Sequence, residues 1–308
     1  MGEEIPTGPT ADPESPPPAA SPSRWTPVDR KSLIVWVGLA LILSGLATFG
    51  AVRLLGINLH HPTLSLRTSL LLKGIGTFFV VLATWAASRI QRRPLGDYGI
   101  PPKQTLGLRF WEGAVWGFLM LSLLLLPLFV AGHFRIESVA IRGVTFWGYA
   151  LGWGLVFLFV SFSEELTFRG YLLFIVARRA SFWRAAIWLS IGFGVAHLFN
   201  PGETVIGIAQ VWGTGLLFCF MIRRTGNLWF ALGYHAAWDW AQTFFYGTAD
   251  SGLKGAGYFL NTSTQGPNWL TGGSTGPEGS VFSLAVLLVA ALLIHLRFPT
   301  AIYADRPE

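Results

Sequence analysis

The sequence predicts an all-α fold, a polytopic transmembrane bundle of about eight membrane-spanning helices, and three observations carry that prediction. Hydrophobic residues make up 52% of the 308 and charged residues only 12%, about half the charged share of an ordinary soluble domain. Fourteen Trp and 24 Phe suit a protein with aromatic rings both in its packed interior and at two membrane interfaces. Apolar stretches near the roughly 20 residues that a bilayer requires recur at 33–52, 69–88, 110–131, 146–177, 185–200, 204–222, 227–246 and 280–297.

Residues 1–31 are rich in Pro and carry no apolar period. They read as a disordered cytoplasmic tail, because such a composition buries too little surface to offset the entropy of folding. The transmembrane domain then runs over 32–298, and 299–308 form a second cytoplasmic tail. The fifth and sixth stretches are separated only by Asn200-Pro201-Gly202-Glu203, a turn that forces the two helices to pack antiparallel. Residues 247–279 make the one long loop, with nine Gly, and suit an external segment or lid.

The net charge of +6 does not mark a nucleic-acid binder, since the Lys and Arg residues lie between apolar segments and form no patch. They report topology instead. With the amino terminus inside, fifteen Lys and Arg fall in cytoplasmic segments and six in external ones, Lys73 being counted among the external six. This bias predicts a multi-pass integral membrane protein with both termini cytoplasmic. The single Cys219 excludes an internal disulfide and a thiolate metal cluster, and reads as a small buried filler.

Ionisable side chains within a membrane span are costly, so each marks a candidate site and needs a partner. The fourth stretch carries Glu164, Glu165 and Arg169. Glu165 and Arg169 are four apart and pair on a helix, while Glu164 points about 100° away and stays available. His197 ends Phe193-Gly194-Val195-Ala196-His197, and His235 stands four before Asp239 on one face of the seventh stretch. Counted from the nearest cytoplasmic Arg at 1.5 Å per residue, Glu164, His197, His235 and Asp239 all lie about 16–22 Å deep. Taken singly, either His is more often a packing feature than a catalytic one, and the Glu-Glu-Arg cluster has an ion pair between helices as its plainer alternative. Two His, an unpaired Glu and an Asp in one apolar layer supply a base, a proton carrier and metal ligands, which is more than packing requires.

The pattern Glu164-Glu165-x-x-x-Arg169, Phe193-x-x-x-His197 and His235-x-x-x-Asp239 resembles the CAAX protease and bacteriocin-processing family, also called the Abi family. The likeness runs from about Leu151 to Phe245. It implies an intramembrane endopeptidase that hydrolyses a peptide bond of a membrane-associated or lipidated protein or peptide. Glu164 and His197 would activate water in a polar cavity open to the cytoplasm, with His235 and Asp239 as further catalytic residues and Glu165, Arg169 and Phe193 in support. The resemblance assigns oxyanion stabilisation to His235 and position 239. Eukaryotic prenyl proteases of the family carry Asn there, and an ionised Asp239 accepts hydrogen bonds but donates none. Asp239 therefore fits better as an orienter of His235, as a metal ligand, or as a protonated acid.

No required cofactor is the favoured expectation. Zinc on Glu164, His197 and His235 is the alternative, although the helical His-Glu-x-x-His spacing is missing. The expected partners are membrane lipid and a peptide or protein substrate, lipidated or not, with no nucleic acid. Two rival functions remain at this point. One is a non-catalytic immunity or scaffold protein on the same fold. The other is a proton-coupled transporter, whose mark would be broken helices or paired repeats around the site.

Overall fold

A computed structural model describes residues 30–57 and 63–303. The tail expected over 1–29, together with His60, His61 and residues 304–308, lies outside the described residues. Arg30 and Lys31, assigned to the tail, open the first helix.

Eight helical stretches occupy the eight predicted positions among the described residues. They are α1 (Arg30–Leu54), α2 (Leu66–Gln91), α3 (Leu108–Val130), α4 (Gly143–Arg179), α5 (Phe182–His197), α6 (Val205–Thr225), α7 (Trp229–Trp240, continued by a wide turn Ala241–Phe245) and α8 (Val281–Arg297). Five of them, α1 to α4 and α6, are long and apolar enough to cross a membrane, and α8 is a shorter apolar helix. The chain is a helical membrane protein of the expected class.

Local chemistry sets the helix ends. Ser65, Ser181, Thr204 and Ser280 accept backbone N–H groups at the starts of α2, α5, α6 and α8, which satisfies donors that a helix start leaves orphaned. Helix α6 stops at Gly226, whose φ of 79° is open to glycine at no steric cost. The α3–α7 contact is unusually close. A side chain at Gly117 would collide with the Tyr234 carbonyl, and one at Gly233 with the Phe110 carbonyl. The two backbones touch there, and this fixes α7 and the His235 it carries.

Helix α4 is not continuous. Its hydrogen-bonding loosens to a π turn over Leu166–Tyr171, with Gly170 outside helical geometry (φ −83°, ψ −118°). Two more π turns lie at Gly38–Leu43 within α1 and at Ala241–Phe245 after α7. Such turns often stand beside functional side chains; the one in α4 begins directly after Glu165 and the one after α7 begins two residues beyond Asp239.

The connections gather at two poles. At one, β1 (Thr63–Leu64) pairs in parallel with β3 (Lys254–Gly255), β2 (Phe134–Val139) pairs antiparallel with β4 (Leu260–Thr264), and the Thr275 hydroxyl donates to the Gly202 carbonyl at 2.7 Å. At the other, Gln91 bonds Ser32, Asn227 bonds Gln104, and Arg223 donates to the Tyr303 carbonyl at 3.0 Å. The 247–279 segment is thus tied down by short strands at the first pole, and residues 30 and 303 both sit at the second.

Glu112, at the start of α3, reads from the sequence as a snorkelling carboxylate. It instead clamps two helices, accepting from Arg109 at 2.7 Å and from Arg297 of α8 at 3.1 Å. Cys219 is buried, as expected.

Candidate active site

One cavity of about 310 Å³ receives Glu164 from α4, Phe193 and His197 from α5, and His235 and Asp239 from α7. Residues predicted to share a depth therefore share a space. The two adjacent glutamates diverge as helical geometry requires: the Glu164 side chain is 25% exposed and the Glu165 side chain is wholly buried.

Glu165 Oε1 lies 3.2 Å from Arg169 Nη1, both groups being fully buried. The same oxygen accepts from His235 Nδ1 at 2.9 Å. Glu165 thus balances a buried cation and also orients an imidazole on another helix. The expectation that it serves only its own helix falls short, because a contact 70 residues away has no local sequence signal. The Arg169 guanidinium is held further by the Phe193 ring, 4.1 Å from its centroid, and it does not line the cavity. A cation over an aromatic face in a dry interior is attracted by the ring quadrupole.

His197 Nδ1 donates to the Phe193 carbonyl at 2.8 Å. With its proton committed there, Nε2 carries the lone pair of the neutral ring. The Phe193 ring packs against the His197 ring at 4.4 Å between centroids, so this one Phe positions both Arg169 and His197. His235 Nε2 faces two acids, Asp239 Oδ2 at 3.3 Å and Glu164 Oε2 at 3.8 Å. With Nδ1 donating to Glu165, a proton on the Nε2 side is what holds those oxygens close.

Further residues line the cavity that the sequence reading left without a role. Lys73 and Ser69 come from one face of α2, Gln210 and Thr214 from α6, and Asn200, Asp250, Ser251, Lys254 and Glu278 from the loop pole. Lys73 falls inside the stretch 69–88 and meets the same rule that singled out Glu164, so the signal for it was present. Its assignment to an external segment is corrected, and the basic bias becomes fifteen to five. Asp250 and Glu278 carried no such signal, since they reach the cavity only because the loop folds back.

Burial raises the Glu278 carboxyl to about 8, with Asp239 nearby adding to the shift, while the Ser251 N–H at 2.6 Å opposes it. Asp250 is also pushed well above the ordinary carboxylate range by burial and by the acids around it, Asp239 and Glu278 first among them. Glu203, beside the α5–α6 turn, is raised by burial against the Thr204 backbone bond.

Every non-helical wall of the cavity belongs to the loop pole, opposite the pole that holds residues 30 and 303. Among the described residues no group of three His, Cys, Asp or Glu side chains stands together as a metal ligand set. His235 Nδ1 is bound to Glu165 and His197 Nδ1 to the Phe193 carbonyl, which leaves Nε2 of each ring as the nitrogen for a metal or a water.

Residues 146–241 match a family described as type II CAAX prenyl endopeptidase Rce1-like. The resemblance read from the three motifs is therefore found again. The Rce1-like segment contains Glu164, Glu165, Arg169, Phe193, His197, His235 and Asp239, and it excludes Lys73 and the loop acids. No curated protein matches the chain.

Proposed function

We propose that the chain is an intramembrane endopeptidase that hydrolyses a peptide bond of a membrane-associated or lipidated protein or peptide. The observation that carries this reading is the convergence of Glu164, His197, His235 and Asp239, from three helices of the Rce1-like segment, on one cavity. Glu164 and the His197 Nε2 lone pair hold a water. Its oxygen bonds to the scissile carbonyl carbon while its proton passes to Glu164, and the carbonyl π pair becomes an oxyanion. Collapse reforms the carbonyl, breaks the C–N bond and returns the proton from Glu164 to the leaving amine. Glu165 keeps His235 oriented throughout. The step is written with these side chains alone, and zinc on Glu164, His197 and His235 stays the alternative that a chelator tests.

The basic bias supports both termini in the cytoplasm, and the 247–279 segment that lines the cavity then lies on the opposite side. The transporter reading has one observation in its favour, the break at Gly170. Of residues 166–171, however, only Phe168 lines the cavity, so the broken backbone does not form the site as it does where a half-helix binds substrate. The test is cleavage of a library of membrane peptides by purified protein in detergent or vesicles. Cleaved products with the unaltered chain and none with Glu164→Ala support the reading; intact peptides with both reject it.

A further inference from the structure

Lys73 is the one cavity-lining cation that the fold leaves uncommitted among the described residues. It lies eight residues beyond the Ser65 cap of α2, about 12 Å along the helix at 1.5 Å per residue. That depth is costly for an ammonium unless it faces a polar space and has a task there. Lys73 does face the cavity, one turn from Ser69 on the same helix face, within electrostatic reach of both Glu164 and Asp239. It makes no hydrogen bond or ion pair with a described residue.

Of the other donors, the buried Tyr234 hydroxyl also lines the cavity without a partner but carries no charge, while several more are engaged. Arg169 is paired with Glu165 and lies outside the cavity wall. Gln210 Nε2 donates to the Thr214 hydroxyl, Trp153 Nε1 to the Ala256 carbonyl, and His197 Nδ1 to the Phe193 carbonyl. Lys254 sits over the Tyr258 ring at 5.1 Å. Position 239, which holds an amide in eukaryotic prenyl proteases, holds a carboxylate here and brings no N–H. Water attack nevertheless builds negative charge on the carbonyl oxygen, and that charge needs a cation or a donor.

We infer that Lys73 is a further catalytic residue, whose ammonium stabilises the oxyanion of the tetrahedral intermediate in place of the amide missing at position 239. It transfers no proton, so the proton path through Glu164 is unchanged. The inference rests on the endopeptidase reading, and it draws on α2, outside the Rce1-like segment.

The experiment compares the unaltered protein, Lys73→Met and the double variant Lys73→Met with Asp239→Asn on one cleaved peptide, together with a phosphonamidate analogue of that peptide. Loss of a single oxyanion donor lowers kcat by roughly 100-fold to 1,000-fold. Lys73→Met should show that loss with KM within about threefold, and should weaken the anionic phosphonamidate far more than the neutral substrate. Adding Asp239→Asn should return at least about tenfold of the rate, because it supplies an amide donor and removes a repelling charge. A second measurement needs no variant to fold: the bound phosphonamidate should protect Lys73, but not Lys103, from amine acylation in the unaltered protein. Cleavage by Lys73→Met within threefold of the unaltered rate, or acylation of Lys73 undiminished by the analogue, overturns the inference. Absence of cleavage by the unaltered protein overturns the endopeptidase reading instead.

Discussion

His235 donates through Nδ1 to Glu165 Oε1 at 2.9 Å, and the same oxygen lies 3.2 Å from the Arg169 guanidinium. One buried carboxylate oxygen therefore joins the charge balance of α4 to the ring orientation of α7. Neither partner can be removed without stranding the other, and a stranded buried charge costs far more than a surface one.

Adjacent glutamates should respond differently to the same change. Glu164→Gln should express near the normal level and lose cleavage by about 1,000-fold or more, since a proton acceptor is gone while packing stays. Glu165→Gln should lower the yield of folded protein by several-fold and weaken cleavage in what remains, because Arg169 loses its counter-charge and His235 its anchor. Yields from membranes, measured beside specific activity, check the division. Equal yields for both variants would contradict it.

With Nδ1 fixed by Glu165, the orientation of His235 does not depend on Asp239. Asp239→Asn should accordingly keep activity within about tenfold, where an orienting carboxylate turned to amide would cost about 10,000-fold. Removal of bound metal by a chelator, followed by assay of the same variant and the unaltered protein, should leave both rates in place. Activity lost to the chelator and restored by zinc would return the metal reading.

The loop acids give the 247–279 segment a pH dependence of definite sign. The folded Glu278 carboxyl is raised to about 8 from an ordinary value of 4.5. Its contribution to the folded loop is then fully present below pH 4.5 and is lost as pH rises through about 8, because the charged form is the one that burial disfavours. Limited proteolysis within 247–279 should quicken between pH 6 and pH 9. Glu278→Gln keeps an acceptor for the Ser251 N–H and should flatten that rise, leaving the smaller share due to Asp250. A rise of undiminished steepness in Glu278→Gln would show that another group sets it.

Reporter fusions after residues 260 and 300 should report opposite sides of the membrane, since the two positions belong to opposite poles. The basic bias places residue 300 in the cytoplasm, so the reporter at 260 should read as external. Both reporters on one side would remove α8 from the membrane.

What the sequence by itself determined was what a short window encodes. Twenty-residue apolar runs gave all eight helices, and a spacing of four residues gave the Glu165–Arg169 pair and the separate exposure of Glu164, because helical rise and turn are local properties. The three motifs were legible for the same reason, each lying within one helix. Only the tertiary structure decided what crosses between helices. It joined Glu165 to His235, brought Lys73 of α2 to the cavity, and folded Asp250 and Glu278 back over it from a segment that reads as loose Gly-rich chain. It also set the loop residues that line the cavity at the pole away from residues 30 and 303, a placement that counting depth along single helices does not record. Such contacts depend on how surfaces pack at long range, as where the bare backbones at Gly117 and Gly233 let α3 and α7 touch, and no periodicity in the chain records them.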